Sequence, residues 1–264
     1  MRFLIPAFAL LALANAATTA NAGERDFCAS RPGLNTPPCI VDIDHPVLEL
    51  GLADWTLSRQ PGSRTDTISS GQATLRVALG ASTEVQFGWT AFGTVRTADR
   101  VANTVSRDSG VGDVTLAVRR SLGTANGPVA IQPYVTLPTG GTAIGAGDWS
   151  AGILLPMGFS LGHGIQLAIT PQVAAAVNGS RAGRHIAYGA AAGLSMSLAE
   201  GLSGAVEVSA TRDDDPAGAK TKALASTSLA WMAGKDTQLD IGTVAGLNSD
   251  SPEIQIYFGI SRRF

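Results

Sequence analysis

The sequence is poor in charge. Asp, Glu, Lys and Arg make up 15% of its 264 residues, and 21 acidic against 19 basic side chains leave a net charge of −2. Nucleic-acid binding needs a clustered basic surface, so this balance argues against it. Apolar residues reach 45%. Even so, no uninterrupted apolar run after the amino-terminal leader is long enough for a membrane helix. Histidine is scarce: His45, His163 and His185 fall in separate connections or strand ends. No nucleophile motif accompanies them, which leaves a Ser-His-acid site without local support. A triad dispersed over several strands, as in a lipid hydrolase, is the one catalytic reading left. The glycine-rich pieces sit between strand patterns and open no helix, so neither a phosphate loop nor a dinucleotide fingerprint is present. The reading is a non-enzyme without a cofactor.

Cysteine is limited to Cys28 and Cys39. In an exported chain an isolated close pair reads as a disulfide. Two thiols with only distant His45 make an incomplete metal shell, and the spacing is not that of a C-x-x-C redox pair.

The start of the chain supports export. Arg2 gives a short positive region, Phe3 to Leu13 an apolar one, and Ala20-Asn21-Ala22 a small-residue cleavage site. Ala14-Asn15-Ala16 is an earlier alternative site, and an uncleaved anchor is an alternative fate. Cys28 follows Arg25-Asp26-Phe27, which is no lipobox. The expected division is a signal peptide at 1–22, a periplasmic lead segment with the disulfide at 23–46, and a barrel at 47–264. Whether the lead segment stays below the barrel or plugs its lumen is open at this point.

The carboxyl end shows what kind of strand follows. Ile254, Ile256, Phe258, Ile260 and Phe264 share one face with Arg262, and Gln255, Tyr257, Gly259, Ser261 and Arg263 share the other. Such alternation makes a strand with one apolar and one polar surface. An export signal followed by a terminal aromatic strand points to the bacterial outer membrane.

About twelve strands can be read from alternation and turn residues. They run near Val47–Arg59, Ile68–Leu79, Glu84–Arg96, Val111–Leu122, Val129–Leu137, Trp149–Leu161, Ile165–Asn178, His185–Leu198, Leu202–Arg212, Lys222–Ala233, Gln238–Leu247 and Glu253–Phe264. Short turns at Gly80–Thr83, Gly123–Gly127, Gly162–Gly164, Ala199–Gly201 and Gly234–Thr237 alternate with mostly longer connections, such as Gln60–Thr67, Thr97–Gly110 and Pro138–Asp148. Short turns at one end and long loops at the other predict an all-β, up-and-down antiparallel transmembrane barrel. Pro133, Pro156 and Pro171 each remove a ladder donor, so bulges or breaks are expected there. Trp55 and Trp149 toward the long loops, with Phe159, Trp231 and Phe264 toward the short turns, are candidates for interfacial girdles.

Face by face, Val85, Phe87 and Trp89 oppose Glu84, Gln86 and Gly88, and Val206 and Val208 oppose Glu207 and Ser209. The polar face is Gln, Ser, Thr and Gly with isolated charges, which suits a lumen better than a solvated surface. The candidate pore-lining residues are Arg76, Glu84, Asp113, Arg119, Gln132, Tyr134, Gln166, Glu207, Asp240 and Gln255. Asp113 is expected to fix loop geometry by pairing with an arginine such as Arg107 or Arg119. Asp213-Asp214-Asp215 reads as a solvated loop tip, with a divalent-cation site as the alternative.

Three segments carry a resemblance. Ser30-Arg31-Pro32-Gly33-Leu34 precedes Leu48-Glu49-Leu50-Gly51-Leu52, Gly110-Val111-Gly112-Asp113-Val114-Thr115-Leu116 opens a central strand, and Leu137-Pro138-Thr139-Gly140 leaves one. In order and spacing they resemble the outer-membrane channel family associated with the meta pathway of phenol degradation. The resemblance covers nearly all of the mature chain. It implies a barrel that passes small solutes, often aromatic or hydrophobic. The cysteine pair is not part of the pattern it brings.

The main expectation is therefore a passive outer-membrane channel for small solutes. It would be surrounded by outer-membrane lipid and inserted by the barrel-assembly machinery through the strand ending at Phe264. The alternatives are a non-conducting barrel acting as scaffold or adhesion platform, and a soluble periplasmic β-protein.

Overall fold

The computed structural model of the protein describes residues 25–124 and 126–264; the signal peptide expected at 1–22 lies outside them. Every regular element among the described residues is a strand. In chain order they are β1 Val47–Gln60, β2 Ser63–Gly80, β3 Thr83–Asp99, β4 Thr104–Gly110, β5 Val114–Ser121, β6 Ala130–Leu137, β7 Ser150–Leu154, β8 Met157–Gly162, β9 Ile165–Val177, β10 Arg184–Ala199, β11 Leu202–Asp213, β12 Lys220–Met232, β13 Thr237–Gly246 and β14 Ile254–Arg263. All ladders are antiparallel; most join sequence neighbours, β3 also pairs with β5 and β7 with β9, and β1 pairs with β14 from Val47↔Arg263 to Leu57↔Ile254. The sheet is thus closed, which leaves no edge for backbone groups to face lipid.

The fourteen strands make twelve staves. β7 and β8 run end to end along β9, with Leu154↔Gln172 and Met157↔Ile169 flanking the break. The break falls at Leu155-Pro156, where proline cannot donate to the ladder. Pro156 still accepts a bond there, from the Ala130 N–H. β4 covers only the outer part of β3, and β5 continues against the inner part. The connections read as long loops at Gln60–Thr67 and Thr97–Gly110 are instead largely hairpin ribbons that prolong β1, β2 and β3 beyond the membrane. The first closes at Pro61-Gly62, where Gly62 has φ +83°. Proline followed by a positive-φ glycine is the type II turn combination.

Alternation decides which residues meet lipid. Phe87, Leu116, Val118, Val206, Val208, Ile241 and Phe258 are exposed on the outside, while Glu84, Arg119, Glu207, Asp240 and Tyr257 are buried within. A bulge in β1 between Gly51 and Ala53 shifts the parity. Val47, Glu49 and Gly51 point inward before it, and Asp54 points inward after it. At the opposite end from the ribbons, His163 and Gly164 both have positive φ, 52° and 75°. These two residues form the tight turn between β8 and β9, a mirror-image hairpin turn in which Gly is at home and His is tolerated.

Candidate functional site

The lumen is not empty. Residues 25–42 run through its short-turn half and bond to the inward-facing side chains of many strands. Cys28 and Cys39 are joined by a disulfide that ties this segment into a loop. Arg76 on β2 is completely buried at its base. It reaches both carboxylate oxygens of Glu84 at 2.9 and 3.0 Å and Glu49 at 3.0 Å. It also donates to the carbonyl oxygens of Cys28 at 2.7 Å and Cys39 at 3.2 Å. A guanidinium has five N–H donors, and here acceptors surround all of them. A buried charge is tolerable on these terms alone, paired and hydrogen-bonded. Arg119 on β5 completes the base, donating to Gln132 at 2.6 Å, to the Cys39 carbonyl at 3.1 Å and to the Ser30 hydroxyl at 3.1 Å.

The facing wall grips the same segment. Glu207 on β11 accepts the backbone N–H of Leu34 at 2.6 Å and of Asn35 at 3.1 Å, and the Asn35 carboxamide at 2.9 Å. Asp240 on β13 pairs with Arg31 at 3.0 Å, and the Tyr257 hydroxyl accepts from the Gly33 N–H at 3.0 Å. Arg31 fits because the wall beside it is glycine. A Cβ at Gly259 would lie 2.7 Å from the Arg31 Nη2, and one at Gly51 would lie 3.2 Å from its Nη1. Across the base, Glu84 accepts from the Val41 N–H at 2.8 Å.

Arg76, Glu84, Arg119, Gln132, Glu207 and Asp240 are thus gathered around one object. The other candidate pore-lining residues lie elsewhere. Gln166 sits exposed near the short-turn end of β9. Gln255 donates to Asp54 at 2.7 Å, apart from the lead segment. Tyr134 stands toward the long-loop mouth with its ring against Gly152, where a Cβ would meet the ring carbons at 2.8 Å. Asp113 pairs with neither Arg107 nor Arg119. Its carboxylate instead accepts the backbone N–H of Gly140 at 2.7 Å and of Ala146 at 2.6 Å, so it pins the loop after β6 by main-chain bonds. Sequence reasoning passed over Glu49, Gln72, Thr170, Gln238 and Tyr257. For Glu49 the signal was present, since it is the one acid in the apolar stretch Val47 to Ala53.

Above the lead segment, a cavity of about 350 Å³ remains between β2, β3, β5 and β6, lined by Gln72, Thr74, Gln86, Thr90, Asp113 and Tyr134 among others. A second, apolar hollow of about 650 Å³ lies on the lipid-facing side near Trp55, Trp231 and Phe258. At the rim, Asp213 and Asp215 converge on His185, while Asp214 turns to Arg212. The three ligand atoms lie within 4.8 Å of one another, though the imidazole nitrogens are already engaged by Asp213 and Asn178. Also at the rim, Asp148 accepts the N–H of Trp149 and Gly183, which holds its carboxyl below the usual aspartate value. Asp215 is held low in the same way by Ala217 and Gly179.

Against this geometry, a family model described as "Putative MetA-pathway of phenol degradation" matches residues 62–264. The chain belongs to this family. The family match takes in β2 to β14 and leaves out the lead segment and β1. Comparison with curated proteins gave no match. Among solved structures, the COG4313 outer membrane channel from Pseudomonas putida F1 is similar, with a TM-score of 0.64, 16% identity, and 83% of this chain and 94% of that one covered. The β domain of the Bordetella autotransporter BrkA follows at 0.55 and 13%, covering 83% and 99%. The NanC porin stands at 0.50 and 8%, covering 83% and 100%. At these identities the likeness carries the fold alone. A closed barrel with an apolar outer face, in this family, is a protein of the bacterial outer membrane.

Proposed function

We propose that the chain is a passive outer-membrane channel for small solutes, constricted in its periplasmic half by its own lead segment. The carrying observation is the division of the lumen. An open polar cavity lies at the mouth, and a hydrogen-bonded, disulfide-tied segment lies beneath it. Selectivity in such a conduit comes from bore and lining groups. The barrel belongs to a size class between small side-chain-filled barrels and wide porins. The family description supports aromatic solutes among those carried. The terminal strand ending at Phe264 is the segment offered to the assembly machinery.

A second reading has its own support. The Arg76 and Arg119 bonds close the base so fully that a non-conducting scaffold would look the same. Liposome swelling with graded sugars and small aromatics separates the two. The mature chain should pass small solutes with a rate that falls with size, and the Cys28→Ser/Cys39→Ser variant should pass them faster. A folded barrel that passes none in either form refutes the channel.

A further inference from the structure

We infer that the mouth-side cavity is a binding site for uncharged, ring-sized polyols, monosaccharides above all. This deepens the channel reading and rests on it, because the cavity lies on the proposed route. At about 350 Å³ it lies at the low end for small-molecule sites, about 300–1,000 Å³, which fits a single ring.

Asp113 is the one ionisable carboxylate in the lining, and its two oxygens are already taken by the N–H groups of Gly140 and Ala146. The charges below are engaged with one another and with the lead segment. Arg119, bonded to the lining residue Gln132, spends its other donors on Cys39 and Ser30, and Glu84, which accepts from the lining residue Gln86, is paired with Arg76. An ionic solute would therefore lose its hydration without gaining a counter-ion.

The Gln72 carboxamide, the Thr74 and Thr90 hydroxyls and the Tyr134 hydroxyl make no side-chain hydrogen bond to another described residue. Together they offer both donors and acceptors around one space. A hydroxylated ring matches that mixture, whereas a plain hydrocarbon would leave these groups without partners. Tyr134 lies against Gly152 and gives the cavity a flat aromatic wall on which a sugar ring can rest.

The test is titration of the refolded mature protein in detergent, followed by ligand-observed NMR. Glucose is compared with its charged analogues glucuronate and glucosamine, and with cyclohexanol. Glucose should bind and both charged analogues should bind more weakly. Tyr134→Phe and Thr90→Val should each weaken glucose by about fivefold, the loss of one hydrogen bond of about 1 kcal/mol. Tighter binding of glucosamine or glucuronate would overturn the charge argument, and tighter binding of cyclohexanol the hydrogen-bond argument. No glucose binding at all overturns the inference. Binding is read without conduction, and liposome swelling is scored separately. A conducting barrel that ignores glucose therefore refutes the site and leaves the channel standing, and a barrel that binds glucose without conducting does the reverse.

Discussion

Arg76 and Glu84 form a two-point ion pair across the hairpin of β2 and β3, Nε to Oε1 at 2.9 Å and Nη2 to Oε2 at 3.0 Å, with neither side chain exposed. Removing one member of such a pair strands the other in a dry site, at about 3–5 kcal/mol. Arg76→Ala should therefore destabilise the refolded barrel by that order and lower its unfolding midpoint in urea accordingly. Arg76→Lys keeps the charge but loses the fork, so it should fall between. Midpoints for both variants equal to the parent would show that the pair contributes nothing.

The same arginine holds the carbonyls of Cys28 and Cys39, so the disulfide and the charge network brace one segment. Closing a loop of this length restricts the unfolded segment by about 3 kcal/mol. The barrel ladders do not include it. The Cys28→Ser/Cys39→Ser variant should keep the heat-dependent gel shift of a folded barrel while residues 26–41 become sensitive to protease. Equal protease resistance in the reduced and oxidised forms would show that the side-chain bonds alone hold the segment.

Asp113 offers a local test. Asp113→Ala leaves the N–H groups of Gly140 and Ala146 without their acceptor, at about 1–3 kcal/mol each if they stay buried. The loop between Leu137 and Ser150 should loosen while the barrel stays closed. Faster proteolysis confined to 139–147 is the expected readout. Cleavage elsewhere, or none, would contradict the pinning role.

Much of this architecture was legible in the chain, for a simple reason. In a barrel wall every single step along a strand exchanges lipid for lumen, so β3, β11 and β14 announce themselves through Phe87, Val206 and Phe258. The ribbons above the membrane did not, because Ser63-Arg64-Thr65-Asp66 is solvated on both faces and shows no alternation. The bulge after Gly51 hid Asp54 by shifting parity. At the site, the inward charges were readable but their purpose was not. Glu207 and Asp240 look like pore-lining acids until Asn35 and Arg31 are placed beside them. Asp113 was expected to seek an arginine, since backbone N–H partners leave no trace in sequence.

The outer face makes a prediction of its own. Ile241 and Phe258 pair across β13 and β14 with their side chains exposed to lipid. An arginine near the middle of the bilayer costs about 2–4 kcal/mol on a barrel wall. Phe258→Arg should thus reduce stability in lipid vesicles by that amount, while Phe258→Leu should be nearly silent. A tolerated arginine would mean that this face is not in contact with acyl chains.

The rim should respond to acid late. Asp148 holds the Gly183 N–H at 3.0 Å and Asp215 the Gly179 N–H at 2.5 Å, so the two carboxylates grip the loop between β9 and β10 from either side. Main-chain bonds favour their ionised forms and hold both below the usual aspartate value. A depressed carboxyl lends stability above its unfolded value, about 3.9, and loses it as the pH falls through the lower folded value. The grip should therefore be complete at neutral pH, persist to about pH 4, and fail only below it. Arg184 lies over the Trp149 ring at 3.9 Å, so release of the loop should change indole emission. Emission should stay flat from neutral pH to about pH 4 and shift below it, and Asp148→Asn should show the shifted signal already at neutral pH. A parent transition well above pH 4, or one unchanged in Asp148→Asn, would show that the two carboxylates do not hold this loop.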